Sequence, residues 1–149
     1  MIARIAASHE ARPHLAEELV QDIWFAVWRA LPSFRGDSPL KGFVARIASN
    51  RAASHVARAV RVPRSEEMSE DVHDGAVGPE AAAIEQDAGG RLMAAVRELP
   101  LVTRQVVTLT LEGFEPREIA AALGLTANAV SIRLTRAKDQ LRTYLGDHQ

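Results

Sequence analysis

The stretch "EPREIAAALGLTANAVSIRLTRA", Glu115 to Ala137, carries an apolar residue at every third or fourth position on both sides of Gly124. This spacing predicts two amphipathic helices. Pro116 suits the first turn of one helix, Gly124 can end it in a left-handed conformation, and Thr126 can cap the next. The pattern therefore predicts two helices joined by a tight turn, which is typical of either a helix-turn-helix or a plain helical hairpin.

The second helix of this pair, predicted to run to about Leu145, has two different faces. One narrow stripe is apolar and predicts the packed face: Val130, Leu134, Ala137, Leu141 and Tyr144. Ala120, Gly124 and Val130 are spaced as in a helix-turn-helix, with a small residue where the helices cross. Nearly opposite the stripe lie Asn128, Ser131, Ile132, Thr135 and Arg136. In a major groove such a face meets base edges, thymine methyls and phosphates, so it favours DNA binding.

Composition and charge indicate how the chain is divided. Of the 149 residues 47% are hydrophobic and 25% charged, as in globular proteins. Residues 1–64 hold ten basic and five acidic side chains, residues 91–149 hold eight and six, and residues 65–90 hold eight acidic and no basic ones. The acidic segment is also rich in glycine, so it predicts a linker. We expect an all-α fold of two small helical domains, 1–64 and 91–149, joined by the linker 65–90.

Several classes of protein are disfavoured by what the sequence lacks. Cysteine is absent, which excludes disulfides, thiol nucleophiles and cysteine-ligated zinc. No apolar run is long enough for a membrane span and no signal peptide opens the chain, so we expect a cytoplasmic protein without membrane insertion. The five histidines have no metal-ligand spacing, and His14 beside Glu17 and Glu18 is the nearest approach to one. We therefore expect no enzyme, no metal and no cofactor.

The helix predicted from Leu15 to Leu31 places an aromatic side chain among polar ones. Its apolar arc, expected to lie in the core, contains Leu19, Val20, Ile23, Trp24, Ala26, Val27, Ala30 and Leu31. Phe25 lies near the middle of the polar arc, and Trp28 lies at the edge. A phenylalanine among glutamine and carboxylates is typical of a protein-docking face, although it can also be an incidental surface residue.

A further helix is predicted after the break at Pro32 and Gly36, with Ser38 as its cap and Pro39 in its first turn. One side of this helix carries Phe43, Arg46, Ile47 and Asn50. An aromatic ring, a cation and an amide on one face can stack on and hydrogen-bond an unstacked base. Alternatively, Phe43 and Ile47 belong to the core.

Three stretches together resemble the extracytoplasmic-function (ECF) subgroup of bacterial RNA polymerase sigma factors. "AEELVQDIWFAVWRALPSFRGDS" (Ala16–Ser38) and "GFVARIASNRA" (Gly42–Ala52) are similar to the family's second region. "LPLVTRQVVTLTLEGFEPREIAAALGLTANAVSIRLTRAKDQLR" (Leu99–Arg142) is similar to its fourth region. The resemblance covers nearly all of the chain except the linker, and the motifs occur in the family's order.

The resemblance implies a sigma factor that directs core polymerase to promoters. Docking on the clamp helices of the polymerase would involve Glu18, Gln21, Asp22, Phe25 and Trp28. Capture of a base flipped from the −10 element would involve Phe34, Arg35, Asp37, Ser38, Phe43, Arg46, Ile47 and Asn50. Reading of the −35 element would involve Arg117, Thr126, Asn128, Ser131, Ile132, Arg133 and Arg136. An anti-sigma factor is a further implied partner.

The start of the chain differs from the family pattern. Only fourteen residues precede Leu15, where the family has a long helix, so we expect the apolar arc of the helix Leu15–Leu31 to lack part of its cover.

An alternative function is a helix-turn-helix regulator that acts without polymerase. Such a regulator needs only the C-terminal part of the chain, and it is expected to bind a palindrome as a dimer.

Overall fold

The computed structural model describes residues 1–61, here called the N-terminal half, and residues 86–147, the C-terminal half. Three α-helices form the N-terminal half: α1 Ile2–Ala7, α2 Pro13–Ala30 and α3 Leu40–Arg61. Four form the C-terminal half: α4 Arg91–Arg97, α5 Leu101–Leu111, α6 Pro116–Leu123 and α7 Ala127–Asp147. The all-α prediction is confirmed. Of the predicted linker 65–90, residues 65–85 lie outside the described residues.

The turn between α6 and α7 has the local features that its sequence predicts. Pro116 occupies the first turn of α6, and Gly124 ends that helix at φ +72°, a conformation that favours glycine. The backbone N–H of Ala129 donates a 3.0 Å hydrogen bond to Thr126 Oγ1, so Thr126 caps α7. A capping box between Glu115 and Glu118, which was not among the predicted features, also fixes the start of α6.

The packing of α2 corrects one sequence prediction. Leu19, Ile23 and Val27 are buried as expected, against α1 and α3. Trp24 is 58% exposed and Leu31 is 40% exposed, so their assignment to the core was wrong. The helix α1 is only six residues long, and it covers the Ile23 side of α2 while leaving the side of Trp24 open.

The helix α3 begins at Leu40, which corrects the predicted position of Pro39. The carbonyl oxygen of Pro39 accepts hydrogen bonds from the N–H groups of Gly42 and Phe43, so Pro39 precedes the helix instead of forming its first turn. The buried side of α3 consists of small residues: Ala45, Ala48, Ser49 and Ala52. Small side chains permit close approach of neighbouring helices.

The two halves pack directly against each other. One hydrophobic cluster includes Ile5, Ile23 and Ala48 from the N-terminal half together with Leu109 and Ile119 from the C-terminal half. A second cluster, Val96, Leu99, Val107 and Ala137, lies within the C-terminal half. Helix α3 contacts α5 and α6, and α1 contacts α5. Within the described ranges, no helix is both long and apolar enough to cross a membrane.

Candidate functional site

The outer face of α7 comprises Asn128, Ser131, Ile132 and Arg136, and all four are exposed. It is held outward because Val130 and Ala137, on the opposite side of the helix, are completely buried. Ile132 keeps 44% of its surface accessible, although it is a large apolar side chain. The periodicity of α7 therefore divides the helix correctly into an inner and an outer face, and the outer face combines hydrogen-bonding, cationic and apolar groups.

Three other residues predicted to contact DNA have different surroundings. Arg117 on α6 is exposed, whereas Arg133 on α7 is half-buried. Thr126 is exposed, but its hydroxyl oxygen already caps α7. The Arg117 side chain is therefore accessible to a DNA phosphate, whereas the Thr126 hydroxyl stabilises the start of α7.

An aromatic pair lies at the start of α3. The rings of Phe34, in the preceding loop, and Phe43 lie 5.0 Å apart between centroids with a tilt of 54°, within the range of favourable aromatic pairs. Both side chains are half-buried, and Ile47 packs against the shared hydrophobic cluster. Phe43 and Ile47 thus take part in packing, which was one of the two alternatives, and they retain some accessible surface.

The polar members of this region are accessible. Asn50 and Arg46 are exposed on α3, and the loop residues Arg35, Asp37 and Ser38 are exposed as well. Gly36 in this loop has φ +81°, a left-handed conformation that favours glycine. We call Phe34, Phe43, Ile47 and Asn50 the α3 aromatic face. It combines two partly accessible rings, a partly accessible apolar side chain and an exposed amide.

The exposed side of α2 forms an apolar groove. Its lining is Gln21, Trp24, Phe25, Val27, Trp28 and Leu31, and its volume is about 480 Å³. Phe25 is 60% exposed and Trp28 is 73% exposed, although the guanidinium of Arg29 lies 5.7 Å from the centroid of the Phe25 ring. The helical periodicity predicts Phe25 and Trp28 on the outer side of α2, but it wrongly places Trp24 and Leu31 in the core. Their spacing of seven residues, two helical turns, was a signal for one shared apolar stripe.

Two carboxylates predicted to face a partner already have partners within the chain. Asp22 accepts two hydrogen bonds from Arg51 of α3, of 2.7 and 3.0 Å. The hydrogen bond from Arg51 lowers the pKa of Asp22, so this carboxylate stays charged and ties α2 to α3. Glu18 lies 3.2 Å from the imidazole of His14, and both side chains are exposed. Within residues 1–61 and 86–147, no cluster of three or more acidic or histidine side chains could hold a metal ion.

Both halves of the chain match family models, and known proteins are similar to most of its length. Residues 1–62 match the family model Sigma-70 region 2, and residues 89–141 match Sigma-70 region 4. The ECF RNA polymerase sigma factor SigE of Mycolicibacterium smegmatis is 32% identical over 99% of the chain, which spans 58% of that relative's length. The RNA polymerase sigma-H factor of Pseudomonas aeruginosa is 31% identical over 89% of the chain and 73% of its own length.

A solved structure shows the same fold. The sigma factor RpoE of Bartonella quintana, solved in complex with the anti-sigma factor NepR, superimposes with a TM-score of 0.76. The superposition covers 97% of the present chain and 89% of that chain, at 24% identity.

Proposed function

The chain belongs to the extracytoplasmic-function subgroup of bacterial RNA polymerase sigma factors, and on that premise we propose which of its surfaces carry out promoter recognition and transcription initiation. Residues 1–64 form the domain that docks on polymerase and captures the −10 element, and residues 91–149 form the domain that reads the −35 element. Residues 65–90 link them. The polymerase catalyses RNA synthesis, and we expect this protein to act beside it in the cytoplasm.

The outer face of α7 enters the major groove at the −35 element. Its exposed polar groups, Asn128, Ser131 and Arg136, are suited to hydrogen bonds with base edges and phosphates, and Ile132 is suited to contact a thymine methyl. Arg117, on the preceding helix, contacts a phosphate and so positions α7 on the duplex. Arg133 and Thr126 contribute further DNA contacts at the edge of this face.

The α3 aromatic face holds an unstacked base of the −10 element. A base can stack on the accessible part of the Phe34 and Phe43 pair, and the free amide of Asn50 can hydrogen-bond its edge. Arg46, together with Arg35, Asp37 and Ser38 of the loop, surrounds this position. Because Phe43 and Ile47 also pack within the protein, Asn50 offers the cleaner test of the role.

We expect Asn50→Ala to separate strand capture from duplex binding. With polymerase present, the variant should bind a fully duplex promoter normally. It should bind a fork template with a single-stranded −10 segment about 1 to 3 kcal/mol more weakly, the usual cost of losing one base contact. The matched control is Ser54→Ala, which removes an exposed polar group one helical turn further along α3 and should bind both templates normally. An equal loss on both templates for Asn50→Ala would show that Asn50 has a structural role.

The apolar groove on α2 docks on the clamp helices of core polymerase. This groove is the single observation that carries the proposal. Three exposed aromatic rings on the N-terminal half favour a protein-binding surface, which a regulator that acts without polymerase does not require. Gln21 and Glu18 provide polar contacts at its rim. Asp22 contributes indirectly, by holding α2 against α3 through Arg51.

Co-purification with core polymerase, followed by run-off transcription, tests the proposed function as a whole. The chain should bind core polymerase and direct a defined transcript start. Binding of a palindromic duplex as a dimer, with no binding of polymerase, would support the helix-turn-helix regulator instead. The same preparation can be probed for an anti-sigma factor, which we propose as a further partner because the RpoE structure that shares this fold contains one.

A further inference from the structure

The groove on α2 leaves a large apolar surface in contact with water when the protein is free. Most of the side-chain surface of Trp24, Phe25 and Trp28 is exposed, and Leu31 extends the same surface. Aromatic side chains bury about 150 to 250 Å² each when they are covered, so the groove offers on the order of 400 Å² of apolar surface. Contiguous apolar patches of this size on small proteins are often interfaces. Under the proposed function polymerase covers the groove, and the free protein needs a different cover.

Side chains of opposite charge lie along one edge of the groove. Glu18 lies near the start of α2 and Arg29 near its end, and both are exposed. They are eleven residues apart, which is about three helical turns, so they lie on the same edge of the helix. Phe25 lies on this edge between them, and the guanidinium of Arg29 lies 5.7 Å from the centroid of its ring. The edge therefore runs from an acidic end through an aromatic ring to a cationic end.

The acidic end of this edge remains available to a partner. The carboxylate of Glu18 lies 3.2 Å from the imidazole of His14, and both side chains are largely exposed. An exposed pair of this kind contributes little free energy, so Glu18 can exchange His14 for a stronger cationic partner at small cost. A guanidinium is such a partner, because it stays charged and can bind both oxygens of a carboxylate.

This edge is complementary to a second copy of itself in the antiparallel direction. A two-fold axis between two antiparallel helices brings the same edge of both helices together, so Glu18 of each copy lies near Arg29 of the other. The same arrangement places Trp24 opposite Phe25 of the second copy, and Gln21 opposite Trp28. A parallel pair places each residue at the level of its own copy, which loses the contacts between opposite charges.

We propose that the groove on α2 is a homodimer interface in the free protein, where a second copy of this chain packs its own α2 antiparallel across the groove. Two such surfaces bury on the order of 1,000 Å² in total, near the lower limit for a specific interface, so we expect a weak dimer with a Kd on the order of 10 μM. The contact is the same on both copies, so it closes after two chains. It occupies the surface that docks polymerase under the proposed function, and the two kinds of binding therefore exclude each other.

Sedimentation and tryptophan fluorescence of the pure chain test the dimer. At about 100 μM the mass should approach about 32 kDa, twice the 16.2 kDa of one chain, and it should fall toward that of one chain at about 1 μM. The two tryptophans of the chain, Trp24 and Trp28, both line the groove, so their emission should shift to shorter wavelength as the concentration rises. A single chain at about 100 μM, or a mass that rises beyond two chains, would overturn the inference.

A charge exchange distinguishes this interface from any other. Arg29→Glu and Glu18→Arg each place like charges at both ends of the antiparallel pair, so each variant alone should dimerise at least about tenfold more weakly. An equimolar mixture of the two variants has opposite charges at both ends and should dimerise as the parent chain does. The double variant Glu18→Arg with Arg29→Glu should also dimerise. Arg61→Glu makes the same charge change at an exposed position at the end of α3, and this control should leave the dimer intact.

Each outcome of the charge exchange supports or overturns the inference. Recovery of the dimer in the mixture and in the double variant supports the antiparallel contact. If both remain single chains while the parent dimerises, that contact is wrong. If Arg29→Glu dimerises as well as the parent chain, the dimer forms through another surface and the inference is overturned. None of these measurements involves polymerase, so their failure is distinct from a failure to co-purify with polymerase, which would count against the proposed function.

Discussion

The long helices α2 and α7 each bury one side, but they expose different chemistry on the other. The outer face of α7 is polar and cationic with one apolar residue, Ile132, whereas the outer side of α2 exposes Trp24, Phe25 and Trp28. A polar face with a single apolar contact suits a hydrated, charged duplex. An apolar groove suits a protein surface from which water is expelled. Under the function proposed above, two helices of similar length in one small chain therefore bind two different kinds of macromolecule.

The largest expected effect concerns the buried side of α7. Val130 is completely buried, so Val130→Asp places a carboxylate without a partner in the core. We expect a loss of more than about 4 kcal/mol in the free energy of unfolding, which is enough to unfold the C-terminal half. Circular dichroism during thermal denaturation measures this.

The control for Val130→Asp is Ile132→Asp, two residues away on the outer face of α7. Because Ile132 is 44% exposed, the same change there should alter the unfolding free energy by only about 0.5 kcal/mol. Similar losses for both variants would show that α7 has no distinct inner and outer side.

The second prediction applies the same contrast to neighbouring residues of α2. Ile23 is completely buried, and Ile23→Ala should cost about 2 to 5 kcal/mol of stability. Trp24→Ala should cost about 1 kcal/mol or less, because most of the Trp24 side chain already lies in solvent. Urea denaturation of the two variants measures both values. A larger cost for Trp24 than for Ile23 would mean that the groove is part of the core.

The contrast between the two helices also explains how much the sequence could predict. The turn around Gly124, the cap at Thr126 and the inner stripe of α7 were predictable because each depends on local backbone chemistry. The exposure of Trp24 was predictable only in part: the resemblance to the family indicated that the apolar arc lacks some of its cover, but not which of its residues are left exposed. The helix α1 has no capping side chain that would indicate its start in the sequence. It is stabilised by the burial of Ile2 and Ile5, which depends on tertiary packing.

The contacts between the halves were beyond sequence reasoning for a related reason. Gln105 and Ser49 are 56 residues apart, and no periodicity or motif relates them. Likewise, the pairing of Asp22 with Arg51 depends on how α2 lies against α3. The residue types of the candidate faces could be identified, whereas their partners within the chain depend on tertiary packing.

The third prediction concerns the function of the groove on α2. Phe25→Ala should leave the melting temperature nearly unchanged, since the ring is 60% exposed. Burying the ring against polymerase is worth about 1.5 to 3 kcal/mol, so the variant should bind core polymerase about tenfold or more weakly. Glu17→Ala, an exposed polar position on the same helix, is the matched control and should bind normally. A Phe25→Ala protein that melts early but binds polymerase normally when folded would refute the docking role.

We expect Ile132→Lys to have the smallest effect on stability and the most specific effect on function. Replacing it with lysine keeps the helix propensity of α7 and puts a charge where solvent already reaches, so unfolding should change by less than about 0.5 kcal/mol. At the −35 element, however, an apolar contact suited to a thymine methyl is exchanged for a donor that favours the acceptors of guanine. Selection of promoters from a library randomised at −35, with polymerase present, should therefore show a changed preference at one or two neighbouring positions and the parent preference elsewhere. Gln140→Lys, at an exposed position further along α7, is the control for a general gain of positive charge, which should strengthen binding without changing the preferred sequence. An unchanged preference in Ile132→Lys would place the base-reading residues elsewhere on the helix and would leave α7 with the phosphate-binding role alone.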